Sequence, residues 1–294
     1  MILDVNREIK RRKPPKKRTR LVLKRWIRVI ILICFIALFA FSSLNILLWN
    51  KDNKDTKKVE KDITKDIKVN EIEADAGEDT NINPPEDKDN DYWNYIKMNM
   101  LDVNFSDLKK KNSDTKAWIK VEGTNINYPV VQRSDNEYYL NHSYDKSKNN
   151  AGWVFLDFRN NLDVLDKNTI IYAHGRVDTT MFGSLKNILK SNWYENKNNY
   201  IIKFATDKYT SLWQVFSVYT IKAESYYITT DFSSNNEFKE FATTLKGRSK
   251  VKFSADVNEN DKIITLSTCR DSKGNRVVMH AKLIKLQKKG LSGN

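Results

Sequence analysis

From Asp91 onward, runs of β-branched, aromatic and aliphatic residues alternate with short polar breaks, and this pattern predicts eight strands. They cover 116–121, 126–131, 152–157, 168–173, 199–205, 211–222, 262–269 and 276–286. Helical spacing intervenes in a few places. Trp93, Ile96, Met100 and Leu101 predict a helix over 91–101, with a second near 105–111 and a short one over 181–190. A longer helix begins at Ser234, where Ser234 and Glu237 form an S-x-x-E capping box. Phe238, Phe241 and Leu245 mark its buried face, and Gly247 suits a C-terminal cap. Many strands with few helices predict a mainly β fold, a closed or nearly closed barrel with peripheral helices. Periodicity alone does not establish closure.

Before Asp91 the pattern changes twice. Val29 to Trp49 (VIILICFIALFAFSSLNILLW) carries no charge, and at about 1.5 Å per residue it matches a hydrocarbon core of roughly 30 Å. Trp26 and Trp49 bracket it as interfacial anchors do. A cleaved signal peptide would have a shorter apolar region, about 7–15 residues, and then a small-residue cleavage site. The run is longer and no Ala-x-Ala site follows, although Ser42 and Ser43 lie within it. It therefore reads as an uncleaved signal-anchor.

The first 28 residues hold twelve Lys/Arg against Asp4 and Glu8, which places that end in the cytoplasm and the rest on the extracytoplasmic face. From Asn50 to Asn90 the chain is rich in Lys, Asp, Glu, Asn and Thr, with Pro84-Pro85. That composition predicts a solvated stem. A helical stretch near 59–69 would lack an apolar stripe. The expected organisation is a basic cytoplasmic arm at 1–28, a transmembrane signal-anchor at 29–49 and a charged extracytoplasmic stem at 50–90. An outer folded domain at 91–289 and a tail at 290–294 complete it. About 200 residues suffice for one domain with a core.

Charge then removes several functions. The chain is +14 overall and the first 28 residues hold +10 of it, so the remainder argues against a nucleic-acid partner. The basic arm reads as a topology signal that also favours anionic lipid. No Cys/His/carboxylate cluster has metal-ligand spacing, and the nine glycines are too scattered for a phosphate loop. No metal and no cofactor is expected.

Candidate chemistry centres on Cys269, which closes the strand Ile263-Ile264-Thr265-Leu266-Ser267-Thr268-Cys269. The other cysteine, Cys34, lies in the apolar run. A six-residue connection containing Gly274-Asn275 leads to the next strand, so an antiparallel hairpin is the simplest geometry. Its mouth would set Arg276 opposite Cys269, with Cα atoms about 4.5–5.5 Å apart. A guanidinium there favours the thiolate and can donate to an oxyanion. Arg270 is the rival, but strand alternation points it away from the face that Ser267 and Cys269 share.

Three histidines could supply an acid or base. His174 ends the strand 168–173, and a parallel relation to 263–269 would put both C-terminal ends on one rim. His280 lies mid-strand, about 13 Å along from Arg276, and reads as a core or surface residue. His142 reads as a loop residue.

IITLSTC followed by Arg276, with IIYAHG upstream, resembles the sortase family, whose hallmark is TLxTC with a later Arg and an earlier His. NINYPVVQ, NEYYLN, VFLDFRN, MFGSLK and ITTDF are similar to segments of class B sortases, and the likeness covers roughly 92–286. The resemblance implies a closed eight-stranded β-barrel. It implies Cys269 as nucleophile, His174 as general acid/base and Arg276 as oxyanion and substrate stabiliser. It also implies groove residues at Asn136, Leu140, Tyr172, Tyr227, Ile228 and Ser267. The activity implied is cleavage of a C-terminal sorting signal after Thr, then transfer to a peptidoglycan-precursor amine.

Pilin polymerisation is the alternative use of the same chemistry. Two departures bear on which sorting motif fits: a short Cys269–Arg276 connection, and Arg270 where an acidic or small residue is more usual. An L,D-transpeptidase would carry His and Gly just before the cysteine, where Ser267-Thr268 stand. A papain-like enzyme would carry its cysteine near the mature N-terminus. A non-enzymatic adhesin, with Cys269 merely packed, is the rival of a different class.

Overall fold

The computed structural model describes residues 24–73, 84–269 and 274–289. The chain divides into two units, Met1–Leu48 and Trp49–Asn294. The described part of the first unit holds the N-terminal portion of α1 (Arg25–Asp66), a 42-residue helix whose length and apolar composition suit a membrane crossing. Its apolar side chains are exposed, Phe39 at 76 % and Leu32 at 59 %.

The second unit begins with the rest of α1, and here the expectation of a solvated stem fails. Thr56, Ile63 and Ile67 are buried, Ile67 standing one residue past the helix end with its amide still donating to the Ile63 carbonyl at 2.9 Å. The strand β1 (Val69–Ile72) follows, pairing antiparallel with β2 (Met100–Val103). Lys203, only 3 % exposed, meets Glu71 of β1 at 2.8 Å and Glu122 at 3.2 Å. Two isoleucines and a few paired charges fasten 50–73 to the domain, too sparse a signal to show as an amphipathic stripe.

The predicted helix over 91–101 shrinks to α2 (Tyr92–Tyr95). Met100 and Leu101 are buried in β2 instead, because pairing with β1 offers them a second strand. Then come α3 (Phe105–Lys111), β3 (Thr115–Val121), β4 (Asn127–Val131), β5 (Phe155–Leu156) and β6 (Asn168–Ala173). The short helix expected at 181–190 is a 3-10 segment, Gly183–Leu189. After it stand α4 (Ser191–Tyr194), β7 (Ile201–Thr206), β8 (Tyr209–Lys222), α5 (Asn235–Gly247), β9 (Ile263–Thr268) and β10 (Asn275–Lys288).

The eight predicted strands close into one barrel in the order β10-β8-β7-β3-β4-β5-β6-β9. Two of its pairings are parallel, β4 with β5 and β6 with β9. Every residue of β6, β7 and β9 is buried, as expected of strands covered on both faces. The cover over one flank is α5. Ser234 accepts the amide of Glu237 at 3.1 Å, while the Glu237 carboxylate turns to Ser233 at 2.6 Å, so the box is half formed. Phe238, Phe241 and Leu245 pack with Phe216, Tyr219, Ile263 and Val278, each burial worth about 1.5–3 kcal/mol. Gly247 is the last helical residue rather than a left-handed cap; Arg248 follows in right-handed conformation.

Candidate functional site

Two strand pairings assemble the site. β9 runs parallel to β6 with Tyr172 opposite Ser267 and Ala173 opposite Thr268, so the next residues, His174 and Cys269, leave the sheet on one rim. The Cys269 amide donates to the Ala173 carbonyl at 2.8 Å, extending that ladder by one bond. β10 runs antiparallel to β9 with Val278 opposite Ser267, and the same register carries Arg276 to a place opposite Cys269. Arg276 Nη1 donates to the Thr268 carbonyl at 3.2 Å, and the Val277 amide donates to Thr268 Oγ1 at 2.9 Å. Arg270, the rival arginine, lies outside the described residues.

His174, Cys269 and Arg276 line one cleft of about 430 Å³ with Asn136, Leu140, Phe155, Glu224, Tyr172, Tyr227 and Ile228. Five of the six expected groove residues are therefore at the cleft. Ser267 is not: it is wholly buried, and its Oγ lies 3.1 Å from the Tyr227 hydroxyl behind the wall. Asn136 and Tyr172 converge on the buried carboxylate of Asp157, at 3.1 and 2.9 Å. Arg159 grips the same carboxylate through Nε and Nη2 at 2.8 Å each and reaches the Ile228 carbonyl at 2.9 Å. One buried anion thus ties three walls together. Arg159 holds the Asp157 carboxyl below the usual range against the upward push of burial.

Phe155 and Glu224 were not singled out in the sequence. Phe155 pairs with Tyr172 across β5 and β6, their rings 5.4 Å apart, so pairing the two strands would have found it. Glu224 stands in the loop after β8, bonded to Arg248 of the segment after α5; no local pattern announces it.

The electrostatics reverse one expectation. Burial pushes the Cys269 thiol up to about 11, outweighing the downward pull of Arg276. Burial also lowers His174, opposed by its bond to Leu140 and assisted by Arg176. At neutral pH the resting pair is a thiol and a neutral imidazole, not the thiolate that the neighbouring arginine alone would favour. The tautomer follows from geometry: His174 Nε2 lies 2.7 Å from the Leu140 carbonyl, which only accepts, so Nε2 carries the proton. Nδ1 keeps the lone pair, and it has no hydrogen bond among the described residues.

The other histidines are engaged elsewhere. His280 is wholly buried, between Tyr219 at 2.8 Å and Thr265 at 2.9 Å. His142 stacks on Tyr138 with ring centroids 3.9 Å apart. Among the described residues no group of His, Cys, Asp and Glu could hold a metal ion.

The comparisons agree with this geometry. The Sortase domain family matches residues 119–284. Sortase B of Staphylococcus aureus is 39 % identical over 185 residues, 62 % of this chain and 75 % of that protein. Among solved structures, a sortase B complexed with triglycine is 39 % identical with a TM-score of 0.58, covering 62 % of this chain and 85 % of the other. The Staphylococcus aureus sortase B–substrate complex also has a TM-score of 0.58 at 39 % identity, over 62 % and 84 % of the two chains. The chain belongs to the sortase family and is a class B-like cysteine transpeptidase.

Proposed function

We propose that this enzyme cleaves a C-terminal sorting signal after Thr and transfers the new acyl end to an amine of a peptidoglycan precursor. The observation that carries this reading is the convergence of Cys269, His174 and Arg276 on one open cleft. His174 Nδ1 takes the Cys269 proton as Sγ attacks the carbonyl after Thr, and Arg276 donates to the oxyanion. Collapse breaks the C–N bond, and the proton on His174 goes to the departing amine. An incoming amine then attacks the thioester and gives up its proton to His174. Cys269 leaves as the thiolate and is reprotonated.

Asn136, Leu140, Tyr172, Tyr227 and Ile228 would hold the signal, with Ser267 supporting Tyr227 from behind. A relative solved with triglycine makes a primary amine the natural acceptor, and the substrate complex of another makes a peptide the natural donor.

The same reading places 1–28 in the cytoplasm, 29–49 across the membrane and the catalytic domain outside. Support comes from the uncharged helical run and its basic flank. The test uses the full-length chain in detergent and a peptide library, with mass spectrometry of Cys269 before and after addition of triglycine. A thioacyl adduct that triglycine resolves to an amide is the expected result. No adduct from any library member sinks the reading.

A further inference from the structure

The helix that follows the apolar run touches the site at two places, both leading to His174. Asn53 Oδ1 accepts a hydrogen bond from Arg176 Nη2, and Arg176 stands two residues after His174. The Arg176 side chain is 10 % exposed and is held further by Thr180 at 3.0 Å and Asp178 at 3.2 Å. Its loop is strained: Thr179 and Met181 have φ of 66° and 51°, left-handed values that non-glycine residues keep only where their surroundings enforce them.

The second contact runs through Asn149, which is 2 % exposed. Its Nδ2 donates to the Asp52 carbonyl and to Thr56 Oγ1, each at 3.2 Å. Asn150 Nδ2 donates to the Asp52 carboxylate at 2.9 Å. Asn149 also shapes the turn that follows: its Oδ1 accepts the Ala151 amide at 2.8 Å and its carbonyl accepts the Gly152 amide at 3.0 Å.

Gly152, at φ +61°, then sits under the imidazole. A Cβ there would lie 3.0 Å from His174 Cδ2, 2.9 Å from the Leu140 oxygen and 2.5 Å from the Tyr139 oxygen. The Leu140 oxygen is the one that fixes the His174 tautomer. One helical turn therefore secures the chain leaving His174 and, through Asn149, the turn whose Gly152 forms the floor beneath its ring.

We propose that the segment Asp52–Thr56 is a positioning element for His174, with Asn53 and Asn149 as its two working contacts. Ring placement, not substrate binding, is what they supply. The proposal rests on His174 being the acid/base, so its test has one readout of activity and one of geometry. The kinetic probe is the peptide that best acylates Cys269 in the library, with triglycine as acceptor and the full-length chain in detergent.

Asn53→Ala and Asn149→Ala should each lower kcat about 10-fold with KM within about 2-fold, since an ångström of misplacement can cost roughly 100-fold. Asn53→Asp keeps an acceptor for Arg176 and should restore kcat. The geometric probe is [15N]histidine NMR, simplified by the chain's three histidines. Wild type and Asn53→Asp should show the Nε2–H tautomer for His174, and Asn53→Ala a mixture of tautomers. An unchanged His174 signal in both alanine variants overturns the proposal, as does a kcat loss that Asn53→Asp fails to restore. If His174→Ala retained full transfer, the acid/base reading would fall, and the tautomer signal would still decide whether Asn53 positions the ring.

Discussion

Thr265 and His280 face each other across β9 and β10, and four residues along the same strands Cys269 and Arg276 reach the rim. In the interior every polar atom of the cluster has a partner. Thr265 donates to Asn168 Oδ1 at 2.7 Å, so it accepts from His280 Nδ1–H, and His280 Nε2 accepts from Tyr219. Asn168 passes the chain on to the Thr229 carbonyl at 2.9 Å. At the rim, by contrast, the His174 Nδ1 lone pair and the Cys269 thiol keep no hydrogen bond among the described residues. Saturation makes the Thr265–His280 pair a support for the groove wall, and unspent hydrogen-bonding capacity leaves Cys269 and His174 reactive.

The largest test of this contrast is mutational. Cys269→Ala should lower transfer about 10⁴-fold or more, while Arg276→Ala should cost roughly 10²–10³-fold. Neither should much alter thermal unfolding. His280→Leu should do the reverse, costing roughly 2–4 kcal/mol of stability while transfer per folded molecule changes little. Equal stability losses at Arg276 and His280, measured by denaturant titration, would erase the distinction.

A gentler test uses pH. Burial holds His280 down at about 3, against about 6.5 in an unfolded chain. Below pH 6.5 the unfolded state therefore binds a proton that the folded state refuses. Stability should fall as pH drops, by up to about 1.4 kcal/mol per unit down to pH 3, and His280→Leu should remove that slope. Cys269 moves oppositely: held up at about 11, it should react with iodoacetamide ever faster past pH 9. A plateau near pH 8.5, typical of a free thiol, would break the picture of a neutral resting pair.

The smallest effect lies between the two regions. Ser267→Ala should cost about 1 kcal/mol and shift KM by no more than about 3-fold, matching Tyr227→Phe because they share one hydrogen bond. A much larger KM change for Ser267→Ala alone would return Ser267 to the groove surface.

Local patterns were informative where neighbours in sequence are neighbours in space. All eight barrel strands were legible from their β-branched and aromatic content, and the Cys269–Arg276 pairing from a short hairpin. The same logic misled at Met100 and Leu101, whose helical spacing was overruled by a strand partner in β1. It misled again at the supposed stem, where two isoleucines and a handful of polar bonds dock a segment whose composition reads as solvated. The resemblance to sortases contributed barrel closure and the choice of His174.

What the sequence by itself determined is the set of chemical groups and the strands that carry them, since side-chain type and alternation are local properties. Tertiary structure alone decided which groups meet and in what state. The parallel pairing of β6 with β9 joins residues nearly a hundred positions apart, and no local signal encodes it. Burial then set the protonation of Cys269 against the pull of its own arginine, because desolvation depends on everything packed around an atom rather than on the residue beside it.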